Sequence, residues 1–164
     1  MDANDYVDNT PVIMGSDHAG FYLKEKIKAF VLGKGIDVED VGTCDEESVD
    51  YPDFGIKVAA YVSNGKFKRG ILLCGSGIGM SMVANKFPHV RAALCNDLFS
   101  AEMSRRHNDA NILVLGGRVV EEALALEIVR VWLRTPFDGG RQNRKVRAHR
   151  GNGRPLVKPG NWLI

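Results

Sequence analysis

The sequence predicts a single doubly wound, Rossmann-like α/β domain: a five-stranded parallel sheet with helices on both faces. Three observations carry that expectation. Five short apolar runs recur along the 164 residues. Each is followed by a stretch with helical periodicity. The runs are too uniformly apolar for a sheet with one wet face, so both faces must be covered. A chain of this length supports one hydrophobic core rather than two.

The first run, 11–14, ends at Gly15-Ser16-Asp17-His18-Ala19-Gly20 and reads as a buried strand delivering polar residues into a loop. Leu23, Ile27, Phe30 and Val31 then recur at the spacing of an amphipathic helix, which stops at Gly33-Lys34-Gly35. A second strand, 37–41, leads into a loop containing Asp45, Glu46 and Glu47, with Asp53 as the expected N-cap of the next helix. The third strand, 70–74, delivers Cys74 into Gly75-Ser76-Gly77-Ile78-Gly79, which opens a helix expected to reach Lys86. Two more strands, 90–95 and 111–115, bracket a helix over 98–106. A long helix over 120–134 and another beginning near Asp138 complete the domain, which is expected to span 11–150. Residues 1–10 form an acidic tail, expected to be flexible, and 151–164 a Gly-, Pro- and Asn-containing extension.

Composition narrows the class. With 45% hydrophobic, 26% charged and 8% aromatic residues, the chain is neither disordered nor fibrous. Cys44, Cys74 and Cys95 are widely spaced, with no C-x-x-C pair, which fits a reducing cytosol and a cytoplasmic location. No apolar run reaches the roughly 18 residues of a membrane span, and the three aspartates of residues 1–10 are unlike a signal peptide. Neither export nor a membrane partner is expected. The scattered histidines and cysteines have no metal-ligand spacing, so no metal is expected. The net charge of +2 hides an asymmetry: from Asp138 onward seven basic residues face one acid, giving +6 there and +2 − 6 = −4 elsewhere. An anionic ligand suits that basic segment. Nucleic acid is the poorer candidate, because aromatic interleaving and a binding motif are both missing.

In doubly wound sheets the ligand crevice lies outside the carboxyl ends of the strands. The residues just past each apolar run are therefore the candidates. Cys74 before three alternating glycines would sit where free backbone N–H groups converge, a setting that favours a thiolate and can hold an oxyanion. The bland alternative is a buried structural cysteine beside an ordinary turn. A sharper rival is a dinucleotide site, with Asp97 twenty-two positions after Gly75 as the ribose acid. Its spacing is G-x-G-x-G, however, where the fingerprint needs G-x-G-x-x-G. Asp17 and His18 could clasp substrate hydroxyls and an anion, or serve only as turn chemistry. His107, near a helix end, could act on a ligand or only complement the helix dipole. Arg118, Arg141, Arg144 and Lys145 suit phosphate oxygens, against the default of solvated positions.

Together the segments closely resemble the type B ribose-5-phosphate isomerases, within the sugar-phosphate isomerase family that includes the galactose-6-phosphate isomerase subunits. The resemblance spans 12–146 and rests on seven motifs in order: G-S-D-H-A-G (15–20), D-Y-P-D (50–53), C-G-S-G-I-G-M-S (74–81), A-N-K-F (84–87), S-R-R-H-N-D-A-N (104–111), G-G-R-V-V (116–120) and G-G-R (139–141). It implies a cofactor-free interconversion of ribose 5-phosphate and ribulose 5-phosphate in the pentose phosphate pathway. By the resemblance, Cys74 is the base that moves a proton between C2 and C1. The backbone of Gly75, Gly77, Ile78 and Gly79, with the Ser76 hydroxyl, holds the cis-enediolate. His107 assists ring opening, and Asp17 and Asn108 hold sugar hydroxyls. His18, Arg118, Arg141 and Lys145 cradle the phosphate. The family divides between this cysteine base and a carboxylate placed where Met80 stands, so the chain resembles the cysteine subclass. It departs from the pattern at Lys145, where a second arginine is expected; Arg144 lies one place earlier. The resemblance also implies a homodimer or dimer of dimers, with His107 and the C-terminal basic residues completing the neighbour's site. A six-carbon sugar-phosphate isomerase acting on allose or galactose 6-phosphate, and a noncatalytic sugar-phosphate-binding subunit, are the rival functions.

Overall fold

The computed structural model describes residues 9–150, the last three by their backbone. The expected tail is thus described only at its end, and the expected 151–164 extension lies outside the described residues. The sheet contains five parallel strands in the order β2-β1-β3-β5-β4. These are β1 (Val12–Ser16), β2 (Val38–Asp40), β3 (Arg69–Cys74), β4 (Ala92–Leu94) and β5 (Ile112–Gly116). Six α-helices accompany them: α1 (Phe21–Gly33), α2 (Tyr51–Ser63), α3 (Ile78–Ala84), α4 (Leu98–Asn108), α5 (Glu122–Arg134) and α6 (Gly140–Arg150).

The three central strands are buried along their whole length, as continuous apolar runs require. Alternation along β3 sorts its side chains: Ile71 and Leu73 join a core under α1, α4 and α5, whereas Leu72 and Cys74 join a second core under α2 and α3. The Cys74 thiol therefore points into the α2–α3 layer. From β1 the chain crosses through α1 to β2, and from β3 it crosses through α3 towards the opposite edge. The connections diverge between β1 and β3, so the crevice of the doubly wound fold opens beside Asp17, His18 and Cys74.

Several expected boundaries shift for identifiable reasons. Strand β2 is an edge strand of three residues, and Val38-Glu39-Asp40 is not the continuous apolar run expected, because only one neighbour covers it. The other edge, β4, is likewise cut to three half-buried residues. Helix α2 begins at Tyr51 with Asp50 at the N-cap position, so Asp53 lies in its first turn instead of capping it. Pro52 explains this shift, since a residue without an N–H belongs where the helix leaves amides unpaired. Helix α3 ends at Ala84, short of Lys86, and α4 runs on to Asn108, which puts His107 inside its last turn.

Edge strand β2 is pinned by a buried charge. Lys24, only 1% exposed, projects from α1 to Asp40, which also accepts from Lys28 at 2.9 Å and from the Gly42 amide at 3.0 Å. Burial pushes the Asp40 carboxyl up, but the bonds from Lys24, Lys28 and the Gly42 amide outweigh it and hold the group below the usual carboxylate range. A lowered native pKa stabilises the fold above the unfolded-state value of about 3.9, and that contribution is lost as pH falls through the native value. Asp40→Asn leaves Lys24 with Glu25 as its remaining carboxylate, and should cost about 2–3 kcal/mol at neutral pH in urea unfolding. The variant should also lack the part of the acid-induced stability loss that Asp40 causes in the parent; equal pH profiles would refute the assignment.

Candidate active site

Three loops meet at the carboxyl edge of the central strands. After β1, Asp17 caps a short 3-10 turn (His18–Gly20): its Oδ1 accepts the Gly20 amide at 3.1 Å, while its other oxygen has no hydrogen bond among the described residues. The turn chemistry anticipated for Asp17 is therefore present, and one carboxylate oxygen is still open. His18 is half-buried, and its Nδ1 accepts the Val49 amide at 3.2 Å. An Nδ1 that accepts leaves Nε2 to carry the imidazole proton, so the ring presents a donor on its other side.

The turn after β3 is governed by Gly77, whose φ is +77°. Its backbone runs so close to β4 and β5 that an added Cβ would lie 2.5 Å from Leu94 Cδ1 and 3.0 Å from the Leu115 carbonyl carbon. Only glycine meets both constraints. This conformation turns the Gly77 amide back onto Cys74, donating to Sγ at 3.2 Å, and the Ile78 amide donates to Ser76 Oγ at 3.3 Å. Cys74 is 5% exposed, at the end of its strand. Cys95, just past β4, is a second buried cysteine: burial pushes its thiol up despite bonds to Ser104 and Ser100, so its anion is disfavoured. Beyond β5, the Gly117 amide donates to the Cys74 carbonyl at 2.8 Å and the Arg118 amide to the Gly75 carbonyl at 3.0 Å. The Arg118 side chain passes beside Gly75, its Cδ 3.7 Å from the position a Cβ would take there.

Asp17, His18, Cys74, Gly75, Ser76, Gly77, Ile78, Gly79 and Arg118 are thus brought to one edge. The remaining candidates are not. His107 and Asn108 close α4 at the amino edge, where the Asn108 carbonyl accepts from Arg91 Nε at 3.2 Å, just before β4. A five-residue strand separates the two edges by roughly 16 Å. Helix α6 packs on α4 through buried Gln142 and Val146, and Asp138 before it binds Arg106 Nε at 3.0 Å. Arg141, Arg144 and Lys145 lie exposed on that helix. Within one chain, then, neither the expected ring-opening histidine nor the expected α6 cations reach the thiol.

Asp97 Oδ1 caps α4 by accepting the Ser100 amide at 2.7 Å, an ordinary structural task, and the G-x-G-x-G spacing still departs from the dinucleotide fingerprint. Two contributors were missed from sequence: the Val49 amide and Tyr51, whose ring lies against Gly79. The D-Y-P-D motif marked the segment without indicating what it touches. A cleft of about 540 Å³ lies at the amino edge between Lys68, Arg69, Arg91 and Asn111, away from the thiol.

The model for the family described as Ribose/Galactose Isomerase matches residues 12–149. The chain belongs to that family. Ribose-5-phosphate isomerase B of Escherichia coli K12 is 44% identical over 137 residues, covering 84% of this chain and 92% of the relative. The 4-deoxy-4-sulfo-D-erythrose isomerase of Clostridium sp. MSTE9 is 43% identical over 127 residues, covering 77% of this chain and 80% of that relative. Among solved structures, a Thermotoga maritima ribose 5-phosphate isomerase superposes with a TM-score of 0.83 at 52% identity, over 85% of this chain and 97% of the other. Clostridium thermocellum ribose-5-phosphate isomerase B gives 0.81 at 53% identity, over 83% and 92%. Membership puts the chain among the aldose–ketose isomerases of sugar phosphates. Among the described residues no helix is long and apolar enough to cross a membrane.

Gly77→Ala tests the turn. A left-handed alanine with its Cβ against Leu94 should lose about 3 kcal/mol and lower the melting midpoint by roughly 10 °C. A melt indistinguishable from the parent would show that the turn is not so constrained.

Proposed function

We propose that the chain interconverts D-ribose 5-phosphate and D-ribulose 5-phosphate through a cis-enediolate, without metal or organic cofactor. The observation that carries this reading is the contact of Cys74 Sγ with an amide of its own turn, 3.2 Å away, on the edge shared with Asp17 and His18. A proton α to a carbonyl is weakly acidic, so a base is effective only if the electrons it displaces are stabilised at the same place. Base and amides here belong to one hexapeptide.

Ring opening breaks the bond from C1 to the ring oxygen; His107 protonates that oxygen while the C1 hydroxyl passes its proton to water. The Cys74 thiolate removes the proton from C2, and the electron pair moves through C1 onto the carbonyl oxygen. The backbone from Gly75 to Gly79, with the Ser76 hydroxyl, receives that charge. Return of the proton from Cys74 to C1, with transfer of the C2 hydroxyl proton to the C1 oxygen, yields the ketose. Asp17 and Asn108 hold hydroxyls. His18, Arg118, Arg141 and Lys145 hold the phosphate, with Arg144 one position from Lys145 as the alternative second cation.

This reading requires two copies of the chain, a homodimer or dimer of dimers, with His107, Asn108 and α6 of one copy facing Cys74 of the other. Two observations support the arrangement. The two groups of residues lie at opposite sheet edges in one chain, and large apolar side chains stand exposed just beyond the carboxyl edge, including Phe99 at 74%, Met82 at 63% and Val119 at 55%. The three free cysteines favour action in a reducing cytosol. A six-carbon substrate is the second reading, because the family description names galactose beside ribose. A ten-fold or greater preference for allose or galactose 6-phosphate in kcat/KM would install it.

Cys74→Ala should abolish isomerisation and leave ribose 5-phosphate binding largely intact. His107→Ala should be similarly inactive on cyclic substrate. Equal mixtures of the two, allowed to exchange subunits, should recover about a quarter of parental activity, because half the dimers are then mixed and each carries one complete site. No recovery after verified exchange would remove the shared site, and activity in Cys74→Ala would remove the base.

A further inference from the structure

The geometry points to Tyr51 as a further substrate-binding residue, its phenol hydroxyl bonding a hydroxyl of the sugar at the uncharged end of the chain. This rests on the isomerase reading above and deepens it. Four observations converge. Cys74 faces the α2–α3 layer, and Tyr51 is the first residue of α2. The tip of its side chain lies over the first turn of α3: a Cβ added at Gly79 would be 2.6 Å from Tyr51 Cζ and 3.0 Å from its hydroxyl oxygen. Although the ring is packed there, the residue is 38% exposed and its hydroxyl has no hydrogen-bond partner among the described residues. Two positions earlier, the Val49 amide holds the His18 ring.

The turn therefore has different chemistry at its two ends. Arg118 lies beside Gly75, and the Tyr51 hydroxyl beside Gly79. A neutral donor and acceptor opposite a guanidinium suits a substrate with an anion at one terminus and hydroxyls at the other. The ring also forms a wall across Gly79, which sets how long a sugar chain the turn accommodates. A carbon chain one unit longer would press against the ring, so Tyr51 bears on the choice between five and six carbons.

Tyr51→Phe keeps the ring and removes the hydroxyl, so a packing role would survive it. Calorimetry should show ribose 5-phosphate bound about 5- to 10-fold more weakly, with inorganic phosphate affinity and melting midpoint essentially unchanged. Turnover should show the same loss in kcat/KM. Tyr51→Ala should in addition raise activity on allose 6-phosphate relative to ribose 5-phosphate. Parental affinity for ribose 5-phosphate in Tyr51→Phe, or equal weakening of ribose 5-phosphate and phosphate, would overturn the proposal. The two readings fail separately. Parent protein that binds but does not turn over sugar phosphates, with selective weakening in Tyr51→Phe, sinks the isomerase and leaves Tyr51 in place. Normal turnover by both proteins does the reverse.

Discussion

The turn after β3 depends on one steric fact: the backbone at Gly77 is pressed between Leu94 and Leu115 in a left-handed conformation. Because the chain reverses there, the Gly77 amide faces back towards the residue that ended the strand, and that residue is Cys74. The same closeness ties the neighbouring loop in, since the Gly117 and Arg118 amides take the carbonyls of Cys74 and Gly75. The thiol and the groups around it are thus fixed by strand-level packing rather than by mobile side chains. Such preorganisation is what a site for transient negative charge requires, because donors that are already aimed need no reorganisation when charge develops.

The parallel sheet imposes the second constraint. Each helix returns the chain to the amino edge, so a residue in the last turn of α4 lies a full strand length from the carboxyl edge. His107 is in that turn. Helix α6 is attached to α4 by buried Gln142 and Val146 and by the Asp138–Arg106 pair, so its cations share that displacement. No rotamer change spans such a separation. Either the residues at the two edges serve unrelated purposes, or, as proposed, a second chain joins them; the exposed apolar side chains at the carboxyl side, Phe99 and Val119 among them, support the latter. The amino-edge cleft offers no third choice, since its arginines are engaged locally: Arg69 binds the Leu133 carbonyl, and Arg91 and Arg105 pair with Asp109.

Much of this was legible in the residues, and the parts that were not share a cause. Buried strands declared themselves because full burial on both faces leaves an apolar run, so β1, β3 and β5 could be read directly. Edge strand β2 was placed at 37–41 but not its charged end, because Asp40 is made tolerable by Lys24, sixteen positions earlier and on another element. The turn at Cys74 and its glycines was legible because its geometry is local to six residues. The packing of Tyr51 against Gly79 and the bond from the Val49 amide to His18 were not, because no spacing records such contacts. The division of the candidate residues between two edges follows from strand direction: in a parallel sheet, as expected, the end of α4 returns the chain to the amino edge.

The packing also bears on why a cysteine stands at the end of β3. Met80, at the position where the resemblance assigns a carboxylate in the other subclass, is fully buried, and its sulfur lies 3.0 Å from where a Cβ on Gly55 would be. Its side chain thus fills the contact between α2 and α3. A carboxylate in that same rotamer would enter an apolar cluster with Val58, Leu72 and Val114, where the desolvation of a charge outweighs any gain. To reach the crevice it would have to leave the contact and open a void beside Gly55. With α2 and α3 packed this closely, a base at 80 and a tight α2–α3 contact are alternatives. The chain has the contact, and in the proposed mechanism the base accordingly stands at the strand end, beside the amides of the turn.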